Sequence, residues 1–327
     1  MVYIYTKRIG LNKYYYLRLD KIVNGKKITK DIIYLGNNLS KIDINKLLDN
    51  QIYKKEIRKS YKTINKFLKS NYYIEKAESI KYKKNKYLTK EQLIKLKAIE
   101  LHFNSKFKKL HELTKNEFFE NFIISYTYNT TSIEGNTIPL SDVKKILLDD
   151  NIILKNKTLR EIYDLRNTKN TFNYILNNKL KINFKTIIEL HKELMKDIDN
   201  RLKFRNYDVR VTKSHFDTTP YFRIEKELKQ LIGWYGRSKQ NIFIKATIFH
   251  HKFEKIHPFA DGNGRTGRML FNLILLQNKL PPIIITKKNK NKYFDSLMVA
   301  DKKEDYLPLI SFLLEEYEKG YWDNFVI

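Results

Sequence analysis

The residues richest in chemistry lie together in His257-Pro258-Phe259-Ala260-Asp261-Gly262-Asn263-Gly264-Arg265-Thr266-Gly267-Arg268. His257 is a proton acceptor near neutral pH. Asp261 offers a hard oxygen ligand, which suits Mg²⁺ shared with phosphate oxygens. Gly262 and Gly264 let the backbone turn sharply and approach a ligand. A helix starting just after them presents free N–H groups and the positive end of its dipole to an anion. Arg265 and Arg268 are three apart, so they share a helix face and can fork two neighbouring phosphates. Taken singly, a histidine at a helix end is a cap or a core group, Gly-Asn-Gly is a turn, and two helical arginines are solvated. Their clustering is what those plain readings leave unexplained. The segment is not a Walker loop, because the Gly-Lys-Ser/Thr ending is absent.

The elements that must hold this segment are helices. Apolar periodicity predicts helices over 242–255 and 264–277 on either side of it, and Pro258 ends the first near His257. Further helices are predicted over 91–113, 116–132, 141–149, 157–178, 184–198, 224–234, 289–300 and 306–321. Ser141 with Asp142 gives one capped start and Asn183 another. The long turn-rich stretch 199–221 contains Val209-Arg210-Val211-Thr212, whose alternation favours an extended segment or edge hairpin beside a cleft. At the other end of the chain, runs at 2–9, 14–19 and 26–35 read as three strands, with Asn24-Gly25 as a tight hairpin turn. Residues 42–113 read as lysine-rich helix, interrupted by a linker at 81–90.

The chain has 327 residues, 42% of them hydrophobic, with 23 Tyr and 19 Phe, which is enough for a large core. Its 64 Lys and Arg exceed its 36 Asp and Glu by 28. Residues 1–120 hold 29 basic and 12 acidic residues, so the front third is the more basic part. Such a field attracts phosphate, nucleic acid or an acidic partner, although a lysine-rich composition shared with abundant Ile, Asn and Tyr also accounts for it. Without cysteine there are no disulfides, thiolate metal sites or thiol catalysis. No signal peptide or membrane-spanning run is read, so a cytoplasmic protein without membrane contact is expected.

The segment at 257–268 resembles the Fic family signature HPFx(D/E)GNGRxxR at every specified position. The resemblance implies a mainly α fold. An all-helical Fic core with a short β-hairpin flap would be preceded by a small β-meander and a basic helical segment. The expected division is 1–40 for the meander, 41–115 for the basic helical region and 116–327 for the Fic domain. It further implies a protein adenylyltransferase that uses Mg²⁺ and ATP to place AMP on a Ser, Thr or Tyr hydroxyl of a target protein, the chain itself included. His257 would be the base and Asp261 the Mg²⁺ ligand. Gly262, Asn263, Gly264, Arg265 and Arg268 would bind the phosphates. Tyr293 and Asp301 fall where relatives line the adenine pocket, with Asp301 in place of an expected asparagine; both also read as helix surface. The stretch Val209, Arg210, Val211 and Thr212 resembles the flap that docks the target by strand addition, or is an ordinary surface hairpin.

Upstream, Thr130-Thr131-Ser132-Ile133-Glu134-Gly135-Asn136 resembles the inhibitory motif (S/T)xxxE(G/N) of Fic proteins, with Thr130, Glu134 and Gly135 at the specified places. The implied arrangement has the inhibitory helix ahead of the core, with Glu134 paired to Arg268 in place of the γ-phosphate. In some relatives the same glutamate supports removal of AMP. A homodimer is compatible with the resemblance. Transfer of another phosphate-containing group is the nearest alternative. A nucleic-acid-binding regulator working through the basic N-terminal third is an alternative of a different class. His250, His251, Glu254 and His257 invite a metal-hydrolase reading, but they form no HExxH arrangement, and His250 reads more simply as a packed helix residue.

Overall fold

The computed structural model describes residues 1–10, 12–149, 152, 156–209 and 217–326. The fold is mainly helical, with a three-stranded antiparallel sheet at the N-terminus. Two compact units are distinguished: residues 1–83, 90–102 and 325–327 form one, and residues 84–89 with 103–324 form the other.

In the first unit, β1 (Val2–Ile9), β2 (Asn12–Val23) and β3 (Lys26–Gly36) form a meander in the order β1-β2-β3. Asn24 and Gly25, with φ of 53° and 74°, make the turn that the Asn-Gly pair predicts. The strand β2 is longer than its apolar run, because the hairpin register continues through Lys21, Ile22 and Val23 to the turn. One face of the sheet, carrying Val2, Ile4, Tyr15, Leu17 and Leu19, forms a core with Leu39, Ile57, Ile64 and Leu68. The last three belong to α2 (Lys54–Lys59) and α3 (Tyr61–Glu78), which follow α1 (Ile44–Leu48). Three strands gain their stability from this helical cover.

The next helix, α4 (Lys90–Ser105), is shorter than the predicted 91–113. A 3-10 turn at Phe107–Lys109 interrupts the pattern, and α5 (Glu112–Glu134) starts early, with His111 Nδ1 accepting from the Leu113 N–H. Phe107 is buried against Phe118 and Phe119, so aromatic packing fixes this break. The helix α6 (Leu140–Leu148) begins one residue before Ser141, after Pro139, and has no side-chain cap; the Ser141 start is corrected by the fixed φ of that proline. Thr158 and Glu161 form a capping box at the start of α7 (Leu159–Asn177). Asn183 caps α8 (Phe184–Met195) by accepting from the Thr186 N–H, as expected.

Helices α9 (Ile224–Arg237), α10 (Ile242–Ile256), α11 (Asn263–Gln277), α12 (Lys290–Lys303) and α13 (Leu307–Asn324) complete the second unit. Apolar side chains surround α10 and α11, so this pair is buried along nearly its whole length. The connection between them is the segment 257–262, and α5, α7 and α8 pack against α11. Among the described residues no helix is long and apolar enough to cross a membrane. Of the expected flap, Val209 is described and its carbonyl accepts from Thr218 Oγ1 at 2.7 Å. Arg210, Val211 and Thr212 lie outside the described residues.

Candidate active site

The α10–α11 connection owes its shape to three residues. Pro258 disfavours helical geometry at His257, which closes α10 in the left-handed region at φ 50°. Asn263 staples the turn from both sides: its Oδ1 accepts from the Phe259 N–H at 2.9 Å and its Nδ2 donates to the Phe259 carbonyl at 2.8 Å. Gly262, at φ 78°, precedes α11, and a Cβ there would meet Met195 Sδ at 2.6 Å. The first in-helix bond runs from the Thr266 N–H to the Gly262 carbonyl, so the N–H groups of Asn263, Gly264 and Arg265 open toward the helix mouth.

His257 presents one free ring nitrogen. Its Nδ1 lies 3.2 Å from the Glu254 carbonyl, which can only accept, so that contact places the proton on Nδ1 and leaves Nε2 with a free lone pair. Burial lowers its pKa from the ordinary value and keeps it neutral at physiological pH.

Asp261 sits at the same mouth. Burial works to raise its pKa, but the charge of Arg265 and the bonds from Arg160 and the Gly262 N–H hold it below the usual carboxylate range. It pairs with Arg160 of α7 and lies 3.5 Å from Arg265 Nη2. Arg265 pairs at its other end with Asp164. Its buried Nε has no hydrogen-bond partner among the described residues.

Arg268 points toward α5. Its Nε donates to Thr130 Oγ1 at 2.7 Å, and its Nη2 donates to the Thr130 carbonyl at 3.1 Å and to Glu134 Oε1 at 2.6 Å. Only 3% of the Arg268 side chain is exposed, against 37% of Glu134. Burial opposes the charge on Glu134, but Arg268 lowers its pKa and keeps it ionised. Gly135, at φ 114°, ends α5 there. A Cβ on Gly264 would run into Glu134 Oε1, so the glutamate lies directly over the helix mouth. The two arginines that the spacing puts on one helix face are thus engaged from different helices, α7 and α5.

Tyr293 is an interior residue of α12: it is buried, and its hydroxyl lies 2.6 Å from His250 Nε2. Asp301 pairs with Lys255 at 2.6 Å. His250 is fully buried and stacked on Phe271. Among the described residues no three His, Cys, Asp or Glu side chains are grouped as metal ligands.

Two residues of the site carry no signature in the sequence. His191 of α8 stacks on Phe259 with ring centroids 3.6 Å apart, and its Nε2 donates to the Asp261 carbonyl at 3.0 Å. Burial lowers its pKa to about 4. Arg205 has no exposed side-chain surface; its Nε donates to the His257 carbonyl and its Nη1 to the Tyr207 carbonyl, both at 2.8 Å, and its Nη2 donates to the Thr219 carbonyl. A polar residue amid the apolar face of α8 was the one available hint of His191.

Residues 181–275 match the Fic/DOC family model. Among curated proteins, that region and its surroundings are similar to protein adenylyltransferase fic-1 of Caenorhabditis elegans, 28% identical over 202 residues. The match covers 59% of this chain and 39% of the relative. Protein adenylyltransferase Fic of Drosophila erecta is 31% identical over 206 residues, covering 59% and 40%. The chain thus spans about 40% of the length of these relatives. A solved Fic family protein from Desulfovibrio desulfuricans is 26% identical with a TM-score of 0.59, covering 73% of this chain and 75% of that one. A Fic domain containing signaling protein from Bacteroides thetaiotaomicron, 20% identical with a TM-score of 0.62 over 69% of this chain and 94% of its own, shares the fold.

Proposed function

We propose that this Fic/DOC protein transfers AMP from ATP to a hydroxyl side chain of a target protein and is held in check by Glu134. The observation that carries the reading is the convergence of a neutral His257, an ionised Asp261 and the cations Arg265 and Arg268 around the N-terminus of α11. The relatives named protein adenylyltransferases support the same reading.

In this scheme the N–H groups of the first turn of α11, together with Arg265, receive the phosphate chain, and Arg268 receives the γ-phosphate. The buried, unpartnered Arg265 Nε is a donor suited to a phosphate oxygen. His257 Nε2 takes the proton of the target hydroxyl as its oxygen bonds to the α-phosphorus. The bond from that phosphorus to the bridging oxygen breaks, and pyrophosphate leaves with the electron pair. Positioning and charge neutralisation supply the rate.

Asp261 fits Mg²⁺, being an ionised hard-oxygen donor with 36% of its side chain accessible; as a single carboxylate it would share the ion with phosphate oxygens and water. The ion when bound would neutralise charge on the phosphates. Asn263 serves by holding the turn rather than by direct contact, since its amide is bonded on both sides to Phe259.

The test is incubation of the parent protein, His257→Ala and Glu134→Gly with labelled ATP and Mg²⁺, followed by mass spectrometry of the product. AMP on a hydroxyl, lost in His257→Ala and enhanced in Glu134→Gly, is expected. A phosphate adduct instead would overturn the group assignment. Label transfer that survives His257→Ala would overturn the role of the base.

A further inference from the structure

The outer face of the N-terminal sheet carries a surface that the proposed reaction does not use. Side chains alternate along a strand, so with Val2, Ile4, Tyr15, Leu17 and Leu19 turned into the core, Tyr3, Tyr5, Lys7, Tyr14, Tyr16 and Arg18 face the other way. The register sets Tyr5 opposite Tyr16 and Tyr16 opposite Tyr34, so one tyrosine from each strand falls in a single row. The rings of Tyr16 and Tyr34 have centroids 5.1 Å apart, and 56% of Tyr34 is exposed. In the next row the Arg18 guanidinium carbon lies 3.4 Å from the Tyr5 ring centroid. Lys7 stands opposite Tyr14 on the other side.

The charge of this sheet is one-sided. The first 36 residues contain eight Lys and Arg and only two acids. Both acids are already engaged: Asp31 accepts from Arg18, and Asp20 pairs with Lys27 at 2.8 Å and accepts from Thr29 Oγ1. Those two pairs leave Lys7 as the unpaired cation among the described residues of this face, within a sheet whose net charge is positive, so what the sheet offers a partner is π-surface in a basic setting.

We propose that this face binds single-stranded nucleic acid, with bases stacked on Tyr16 and Tyr34 and backbone phosphates drawn to Lys7 and the other lysines of the sheet. Aromatic platforms within basic surfaces take single strands because every unpaired base has a free π-face, whereas in a duplex those faces are already stacked. This inference stands independently of the nucleotide-transfer reading.

The test uses the full chain, with fluorescence anisotropy of labelled oligo(U) and oligo(dT) at low and at physiological salt. Single strands should bind with an affinity that falls as salt rises. Tyr16→Ala and Tyr34→Ala should each weaken binding by about 5- to 100-fold, while Tyr34→Phe should retain it. Lys7→Ala, which leaves the packing untouched, should reduce the salt slope by about 1. Absence of binding at low salt overturns the proposal, as do alanine variants that bind like the parent. Duplex DNA and heparin bound as tightly as the single strands would mark a general polyanion surface, which also overturns it.

Discussion

Arg268 Nη2 donates to Glu134 Oε1 at 2.6 Å while its Nε holds Thr130, so a buried cation of α11 is tied to the end of α5. A guanidinium engaged in this way through Nε and Nη2 has fewer donors left for a phosphate. Glu134→Gly removes the competing carboxylate and should raise AMP transfer by about 10- to 100-fold, the range set by one charged hydrogen bond. Thr130→Ala should give a smaller rise, because the glutamate remains. Initial rates with labelled ATP check both, and rates equal to the parent's with ATP binding intact would count against a brake.

The Arg160–Asp261 pair invites a second prediction. The guanidinium lies on the carboxylate that the proposed reaction assigns to Mg²⁺, so the two cations compete. The pair is partly exposed and therefore worth little, roughly 0–1 kcal/mol. Arg160→Ala should lower the Mg²⁺ concentration for half-maximal activity by no more than about fivefold. Titration of activity with Mg²⁺ reads this, and a half-saturation point that is unchanged or raised contradicts the competition.

What could be read in the sequence was local. The 3.6-residue periodicity of 242–255 and 264–277 and the Asn24-Gly25 turn are properties of neighbouring residues, and the corresponding elements are present. The break at 106–111 was hidden because Phe107 holds it by packing against α5, which no local pattern records. The site divides in the same way. His257 and Arg268 stand in one short segment, whereas Asp164, His191 and Arg205 reach it from separate elements and meet it only through tertiary contacts.

Arg205 shows what such a contact does. Its planar fork satisfies the carbonyls of His257, Tyr207 and Thr219 at once, which the point charge of lysine cannot reproduce. Arg205→Lys leaves buried carbonyls without donors and should cost about 2–4 kcal/mol. For a unit of this size that lowers the melting temperature by about 5–15 °C. Because the lost bond holds the backbone of His257 and not a phosphate, kcat should fall while the KM for ATP stays close to the parent value. A rise in KM alone would show that Arg205 acts on the nucleotide instead.

Stability should peak near pH 6.5, for reasons of opposite sign on the two sides. Burial holds His191 and His251 at about 4 and His250 at about 3. Below their ordinary value of about 6.5 the unfolded chain takes up protons that the native state refuses, so stability is lost as pH falls from 6.5 toward 3. Glu161, lowered to about 2 although burial opposes it, by its bonds from Thr137 and Thr158, adds to the loss below about 4.5. Glu254 works the other way: burial raises it to about 8, so above 4.5 the unfolded chain sheds a proton that the native state keeps. Between 4.5 and 6.5 one glutamic acid opposes three histidines and stability still rises with pH; between 6.5 and 8 the glutamic acid acts alone and stability declines. Glu254→Gln should abolish that decline and steepen the rise between pH 4.5 and 6.5, because glutamine keeps the shape without the proton. Thermal melts of both proteins across this range decide it: a parent whose melting temperature rises from pH 6.5 to 8, or a variant that still declines there, would refute the assignment of Glu254.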